Sequence, residues 1–344
     1  MQKIHRNILK WGGLVLIVGV VFITGIVLIP RINPNSDDDS PDGPQLPYPE
    51  NKIISLDRGS LYFLNLTTDY HFDTRLSTSL SPFIPILLNS SAFACTCVSI
   101  TTSPNCSLFG RNFDWYPGNK LIIETHPPNA YRSISMVDVD ALGLNFPTDF
   151  LSTSSTFYPT FAFSPFDGMN EQGLSVGCLV SPGMTPGYNK SKSTLNSLEF
   201  MRLALDYATS VSEVVDLWEK YNIDYLGGPN LHYMVGDALG NSAIIEWIDG
   251  EMVEIENIET WQVVTNFRIS NASAADFNSC WRYTEAVNVL TSEYIVWNQE
   301  IMRDLLANVS VSGTQWSNVY DMAQRCASIT IERQFQKHAW EFRL

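Results

Sequence analysis

Metal-ligand spacings are missing from this sequence. Its five histidines include no His-x-x-x-His, and its six cysteines (Cys95, Cys97, Cys106, Cys178, Cys280 and Cys326) include no Cys-x-x-Cys. Both absences argue against a structural or catalytic zinc site, and no motif calls for a cofactor. Basic residues are scarce: 21 Lys and Arg stand against 36 Asp and Glu, for a formal charge of −15. A nucleic-acid partner would need a basic face, which this balance does not supply. There is no internal repeat. Charge of either sign is absent from residues 11–30 (WGGLVLIVGVVFITGIVLIP), a run long enough to cross a bilayer as a helix.

Lys3, Arg6 and Lys10 precede that run, whereas Arg31 alone follows before Asp37, Asp38, Asp39 and Asp42. This bias predicts a cytoplasmic N-terminus, residues 11–30 as a membrane anchor, and the remainder outside the cytoplasm. A cleaved signal segment, leaving a secreted or lumenal protein, is the rival reading. Its apolar region would ordinarily be shorter and end in small residues rather than Ile-Val-Leu-Ile-Pro. Residues 31–50, rich in Pro, Asp, Asn and Ser, read as a disordered linker. Asn65, Asn89, Asn105, Asn189, Asn271 and Asn308 each open an Asn-x-Ser/Thr sequon, compatible with an exported glycoprotein. Outside the cell, one or two disulfides are allowed, with connectivity open. Oligomeric state is not legible.

Beyond the linker, segments 95–101, 107–115 and 120–125 read as strands. Apolar stretches at 160–164 and 174–180 flank Asp167-Gly168-Met169-Asn170-Glu171-Gln172-Gly173, in which Asn170 reads as a turn residue. Leu195, Leu198, Met201 and Leu205 recur at helical spacing, and Ser210-x-x-Glu213 predicts a capping box before a second helix. Segments 231–236 and 242–248 read as a hairpin, 261–265 as a strand, 275–291 and 296–308 as helical, and 314–321, 327–332 and 338–343 as closing strands. Hairpins mixed with paired helices predict an α+β fold whose sheets are covered by helices on their outer faces.

The residues that carry chemistry begin at Cys95. A strand starting there and returning through Gly110 would bring Arg111 and Asp114 beside its first residue, placing a guanidinium and a carboxylate next to a thiol. The guanidinium favours the thiolate. The carboxylate would hold a neighbouring ammonium or orient a proton carrier. An α-amino group titrates near ~8. If Cys95 became the first residue of a chain, its own amine would serve as the base for its own thiol. Such a site needs no histidine. Ala94 is small and would leave the preceding peptide bond open to attack.

Cys95-Thr96, Gly110-Arg111-Asn112-x-Asp114 and Asp167-Gly168-Met169-Asn170-Glu171-x-Gly173-Leu174 follow in order and spacing a pattern that resembles the choloylglycine hydrolase and acid ceramidase family of linear amide C–N hydrolases. The same group is similar to penicillin V acylase and penicillin acyltransferase. Leu231-His232-Tyr233 with Ile244-Ile245-Glu246, Val264-Thr265-Asn266-Phe267 and Trp316-Ser317-Asn318-Val319-Tyr320-Asp321 extend the likeness over nearly all of 94–344. The resemblance implies a four-layer αββα sandwich of the N-terminal nucleophile hydrolases, with 51–94 an upstream pro-segment and 95–344 the catalytic domain. It further implies self-cleavage between Ala94 and Cys95, then hydrolysis of a small-molecule N-acyl amine or N-acyl amino acid through a thioester. Cys95 would be the nucleophile, Arg111 and Asp114 would position its thiol and amine, and Asn266 would donate to the oxyanion. Arg282 resembles a later active-site arginine. Where the bile-salt branch carries a polar residue, this chain has Val180, which points away from bile-salt or penicillin V specificity. An acyltransferase of the same family is the nearest alternative. More distant ones are a serine esterase using Ser175 of Gly173-x-Ser175-x-Gly177, and a non-catalytic tethered binding module.

Overall fold

A computed structural model describes residues 48–57, 60–77, 94–142, 150–292 and 295–344. The apolar run 11–30, the linker up to residue 47 and the apolar stretch 83–88 lie outside the described residues, and with them the anchor and signal readings. Among the described residues, no helix is long and apolar enough to cross a membrane.

The chain enters through strands β1 (Ile53–Ser55) and β2 (Leu61–Leu66) and a short helix, α1 (Phe72–Leu76). Hairpin β3 (Thr96–Ser103) and β4 (Cys106–Asp114) begins one residue after Cys95. Next come β5 (Lys120–Thr125), β6 (Ser133–Asp138), α2 (Tyr158–Ala162), β7 (Asp167–Asn170) and β8 (Ser175–Val180). Strand β9 (Thr194–Asn196) leads into α3 (Ser197–Tyr207) and α4 (Val211–Trp218). These precede β10 (Asn222–Asp224), hairpin β11 (Leu231–Gly236) and β12 (Ser242–Ile248), β13 (Glu251–Glu256) and β14 (Trp261–Val264). Helices α5 (Ala274–Ser279), α6 (Trp281–Leu290) and α7 (Gln299–Asn308) precede the closing strands β15 (Thr314–Asp321), β16 (Cys326–Ile331) and β17 (Trp340–Arg343).

Two large sheets result. One has nine strands in the order β1-β2-β5-β6-β7-β8-β11-β12-β13, and the other six in the order β14-β3-β4-β15-β16-β17. Alternation along β3 and β4 explains how they pack. Cys97, Phe109 and Phe113 join the core shared with the nine-stranded sheet, whereas Val98, Ile100 and Leu108 join Met302, Leu305 and Leu306 beneath α6 and α7. Helix α3 covers β7 and β8 on the other side. Helices thus lie outside both sheets, in the layered α+β arrangement expected from the sequence.

Local signals account for several boundaries. Asn196 and Glu199 form a reciprocal capping box at the start of α3. At α4 the predicted box is only half made. The Ser210 side chain accepts from Glu213 N–H, but the Glu213 carboxylate accepts from Thr209 N–H at 2.6 Å instead of Ser210. The stretch 160–164 falls largely within α2. The helical stretch 275–291 is two helices broken at Cys280, whose backbone is extended (φ −95°, ψ 99°). Strands β6 and β13 were not among the expected elements.

All six cysteines are free thiols, so the disulfides allowed by the sequence do not form. The thiols are directed to separate partners: Cys106 donates to the Trp297 carbonyl at 3.3 Å, Cys178 to the Phe166 carbonyl at 3.4 Å, and Cys326 accepts from Arg343 Nε at 3.2 Å.

Candidate active site

Cys95 stands at the open end of β3. Cys97 is in register with Arg111 on β4 and with Val264 on β14, so extending that register by two residues sets Asn266 level with Cys95. The Cys95 N–H donates to Asn266 Oδ1, while Asn266 Nδ2 donates to the Val180 carbonyl at 2.8 Å. Arg282 reaches in from the first turn of α6. Its Nη1 donates to the Cys95 carbonyl and, at 3.0 Å, to Thr96 Oγ1; its Nη2 donates to Asn266 Oδ1 at 3.1 Å. Two donors on the oxygen and a carbonyl on the nitrogen leave a single sensible orientation for the Asn266 amide. Cys95, Asn266 and Arg282, far apart in sequence, thus form one hydrogen-bonded cluster.

Arg111 and Asp114 flank the thiol from β4. The Asp114 backbone N–H and the Arg111 guanidinium favour negative charge on the Cys95 sulfur, and the Asp114 carboxyl opposes it. The Thr314 hydroxyl donates to Asp114 Oδ1, while Asp114 Oδ2 is buried with no hydrogen-bond partner among the described residues. Arg111 is fully buried between the sheets; its Nη1 donates to Cys97 Sγ at 3.6 Å and its Nε lies 3.5 Å from Asp167 Oδ2. The sheets approach closely enough there that a Cβ on Gly177 would sit 3.0 Å from Cys97 Sγ and 3.4 Å from Arg111 Cδ.

The sequence expectations did not include the support beneath Arg111. Asp167 accepts from Trp316 Nε1 at 2.7 Å, Asn318 Nδ2 at 2.7 Å and Tyr320 Oη at 2.5 Å. Two of the quoted motifs therefore meet at one carboxylate. Their order along the chain gave no sign of that meeting, which depends on β7 and β15 facing each other across the two sheets. Asn170 is the last residue of β7 rather than a turn residue, and its side chain braces the turn that follows. Its Oδ1 accepts from Gln172 and Leu174 N–H, and its Nδ2 donates to the Leu205 and Ala208 carbonyls at the end of α3.

Burial dominates the electrostatics. It raises the Cys95 thiol above its ordinary value despite the opposing pull of Arg111 and Arg282. Arg111 therefore does not by itself leave Cys95 a thiolate. Burial pushes Cys97 up to about 12 and Cys178 higher still. Asp114 is raised by burial to about 6, with the Thr314 hydroxyl, Arg282 and Arg111 opposing the shift. Burial also works against charge on Arg111, but the Asp167 carboxyl 3.5 Å away favours the charged guanidinium.

Cys95 opens onto a small cavity of about 30 Å³. Its walls are Phe113, Trp115, Phe166, Cys178, Val180, Leu198, Tyr225 and Leu231, with no charged side chain among them. Ser175, the nucleophile of the esterase alternative, starts β8 and is buried. The residues after it continue as strand, so the strand–turn–helix of a nucleophile elbow is not formed and that alternative is set aside.

The sequence profile of the linear amide C–N hydrolases, choloylglycine hydrolase family, matches residues 95–271. No curated protein sequence gives a match. Among solved structures, penicillin V acylase from Agrobacterium tumefaciens is similar at 22% identity and a TM-score of 0.51, over 69% of this chain and 83% of its own. A mutant of conjugated bile acid hydrolase from Clostridium perfringens is similar at 17% identity and a TM-score of 0.54, over 73% of this chain and 92% of its own. A second variant of the same hydrolase gives 18% and 0.53, over 72% and 92%. At such identities the likeness is one of fold.

Proposed function

Given that this chain belongs to the choloylglycine hydrolase family of linear amide C–N hydrolases, we propose that it is a self-processing cysteine amidase with the N-terminal nucleophile αββα fold, acting on N-acyl amines or N-acyl amino acids with an apolar acyl group. One observation carries the reading. Cys95 sits at the mouth of an uncharged cavity with its backbone nitrogen held by Asn266, its carbonyl by Arg282, and its thiol beside Arg111 and Asp114.

Activation begins when the Cys95 thiol attacks the Ala94 carbonyl. The acyl group passes from nitrogen to sulfur, and water cleaves the thioester, leaving Cys95 with a free amine. Asn266 Oδ1 already faces that nitrogen, and the unpartnered Asp114 Oδ2 is a carboxylate oxygen beside the thiol to receive the new ammonium. In turnover the amine takes the thiol proton and the thiolate attacks the substrate carbonyl. One Asn266 Nδ2 hydrogen is used on Val180, and the other donates to the oxyanion. The ammonium then returns its proton to the departing amine, and water hydrolyses the thioester. Phe113, Trp115, Phe166 and Leu198 would bury the acyl group, at ~25 cal/mol per Å² of apolar surface.

Intact-mass spectrometry of the processed protein, incubated with a panel of N-acyl amides of varied acyl length and charge, tests this. An acyl adduct on Cys95 with uncharged acyl groups is expected. Turnover without any adduct at residue 95, or equal use of charged acyl groups, would refute the reading.

A further inference from the structure

One buried ion pair near the site has no role in the mechanism above. His232 on β11 and Glu246 on β12 are both fully buried. The hairpin register that pairs Tyr233 with Ile245 sets them side by side when carried one residue on. His232 Nδ1 lies 3.1 Å from Glu246 Oε1, and Nε2 lies 2.8 Å from the Thr265 carbonyl. Glu246 in turn accepts from Ile269 N–H at 2.7 Å and Ser270 N–H at 2.9 Å. Both ring nitrogens thus face oxygen acceptors, one on each side of the imidazole. The Glu246 carboxylate accepts from three donors. Burial would raise its pKa, but His232 and the two amides hold it below the usual carboxylate range.

These contacts straddle Asn266. Thr265 precedes it, Ile269 and Ser270 follow it, and all three are tied to the nine-stranded sheet through this one pair. Thr265 also shares a hydrogen bond between its hydroxyl and Cys280 Sγ at 3.2 Å, at the head of the helix that carries Arg282. The strand end that presents Asn266 to Cys95 is therefore anchored by side chains of the opposite sheet.

We propose that the His232–Glu246 pair is a positioning device for the Cys95 reaction, fixing the backbone on both sides of Asn266 so that its amide meets the reacting acyl oxygen. The proposal rests on the role given to Asn266 above. Misplacement of a catalytic group by about 1 Å costs up to about a hundredfold in rate. Ordinary core packing would instead show up in stability, independently of Asn266.

The test is a double-mutant cycle with His232→Gln, Glu246→Gln and Asn266→Ala, alone and combined, reading acylation rate, KM and melting temperature. A variant that stays uncut is scored on its rate of cleavage before Cys95. Each Gln variant is expected to lose about ten- to a hundredfold in acylation rate with KM within about threefold. In the Asn266→Ala background the same changes should cost less than about twofold. Multiplying losses, or a raised KM with unchanged rate, would overturn the proposal. If the Gln variants do not fold, Glu246→Asp, which keeps the charge on a shorter arm, is held to the same criterion; a wild-type rate in that folded variant also overturns it. Wild-type turnover in Asn266→Ala would instead refute the role of Asn266 itself.

Discussion

Asn266 is where the two sheets, Cys95 and Arg282 meet. Its replacement by Ala removes the Val180 tether and the proposed oxyanion donor but little buried volume. We expect amide turnover slower by about a hundredfold or more, on the order of one lost oxyanion donor, with the fold retained. Steady-state kinetics beside a thermal melt would check this, and near wild-type turnover in a folded variant would remove Asn266 from the site. Cys97 offers a second test. It shares a face of β3 with Cys95 and touches Arg111, yet burial holds its thiol up near about 12 and it does not line the cavity. Peptide mapping after reaction with an acyl probe should find the adduct on Cys95 alone, and an adduct on Cys97 would reverse the assignment.

At the scale of elements, β3 and β4 were legible because β-branched alternation, the Asn105 turn and the chemistry-bearing residues coincide in one short stretch. The 231–236 and 242–248 hairpin appeared with its bounds intact for a similar reason, since Ala238-Leu239-Gly240-Asn241 marks the turn. Helix α2 was less legible because 160–164 is too short for a helical period to separate it from an apolar strand. The Asp167 support was invisible because it joins residues of different sheets and no local period reports which strands will face. His232 and Glu246 share the legible hairpin, but their reach to Thr265, Ile269 and Ser270 across to the other sheet was invisible for the same reason. The upstream segment illustrates the same limit. Its apolar stretch 83–88 lies outside the described residues, whereas β2 pairs in parallel with β5 and α1 delivers Arg75 to Glu199. That pair is buried and bidentate, at 2.6 and 2.8 Å, and Tyr70 Oη donates to Asp206 at 2.7 Å nearby. Removing one member of a buried pair costs about 3–5 kcal/mol. Arg75→Met should therefore release the cleaved segment at distinctly lower urea than wild type, as size exclusion across a urea series would show. An unchanged release point would mean that the strand pairing alone holds it.

For the molecule as a whole, buried carboxyls tie stability to pH. Burial raises Asp138 to about 7, and Asp114 and Asp206 to about 6, from an ordinary 3.8. The folded chain keeps these protons where the unfolded chain has released them, so stability should fall as pH rises from about 4.5 to about 7. Melting temperatures across that range should decline, and less so for Asp138→Asn; a rise would contradict the assignment. Cleavage before Cys95 concerns the same whole. The cut would divide the chain into a piece ending at Ala94 and a catalytic chain running from 95 to 344, while β2 stays within the nine-stranded sheet beside β5. Leu61, Phe63, Leu64, Leu66, Tyr70 and Phe72 of the upstream piece are all buried. At about 1.5–3 kcal/mol for each apolar side chain, they would hold the two pieces together without a covalent bond. If 11–30 anchors the precursor, this packing, with the β2–β5 pairing and the Arg75–Glu199 pair, would keep the catalytic chain at the membrane, since no disulfide links the pieces. We expect both fragments to co-purify and to part only on denaturation, with Cys95→Ala remaining a single uncut chain. A denaturing gel with N-terminal sequencing of the catalytic product reads the outcome. A fully active wild-type protein that stays one chain would show that Cys95 never gains a free amine, and the base assigned to the thiol would have to be sought elsewhere.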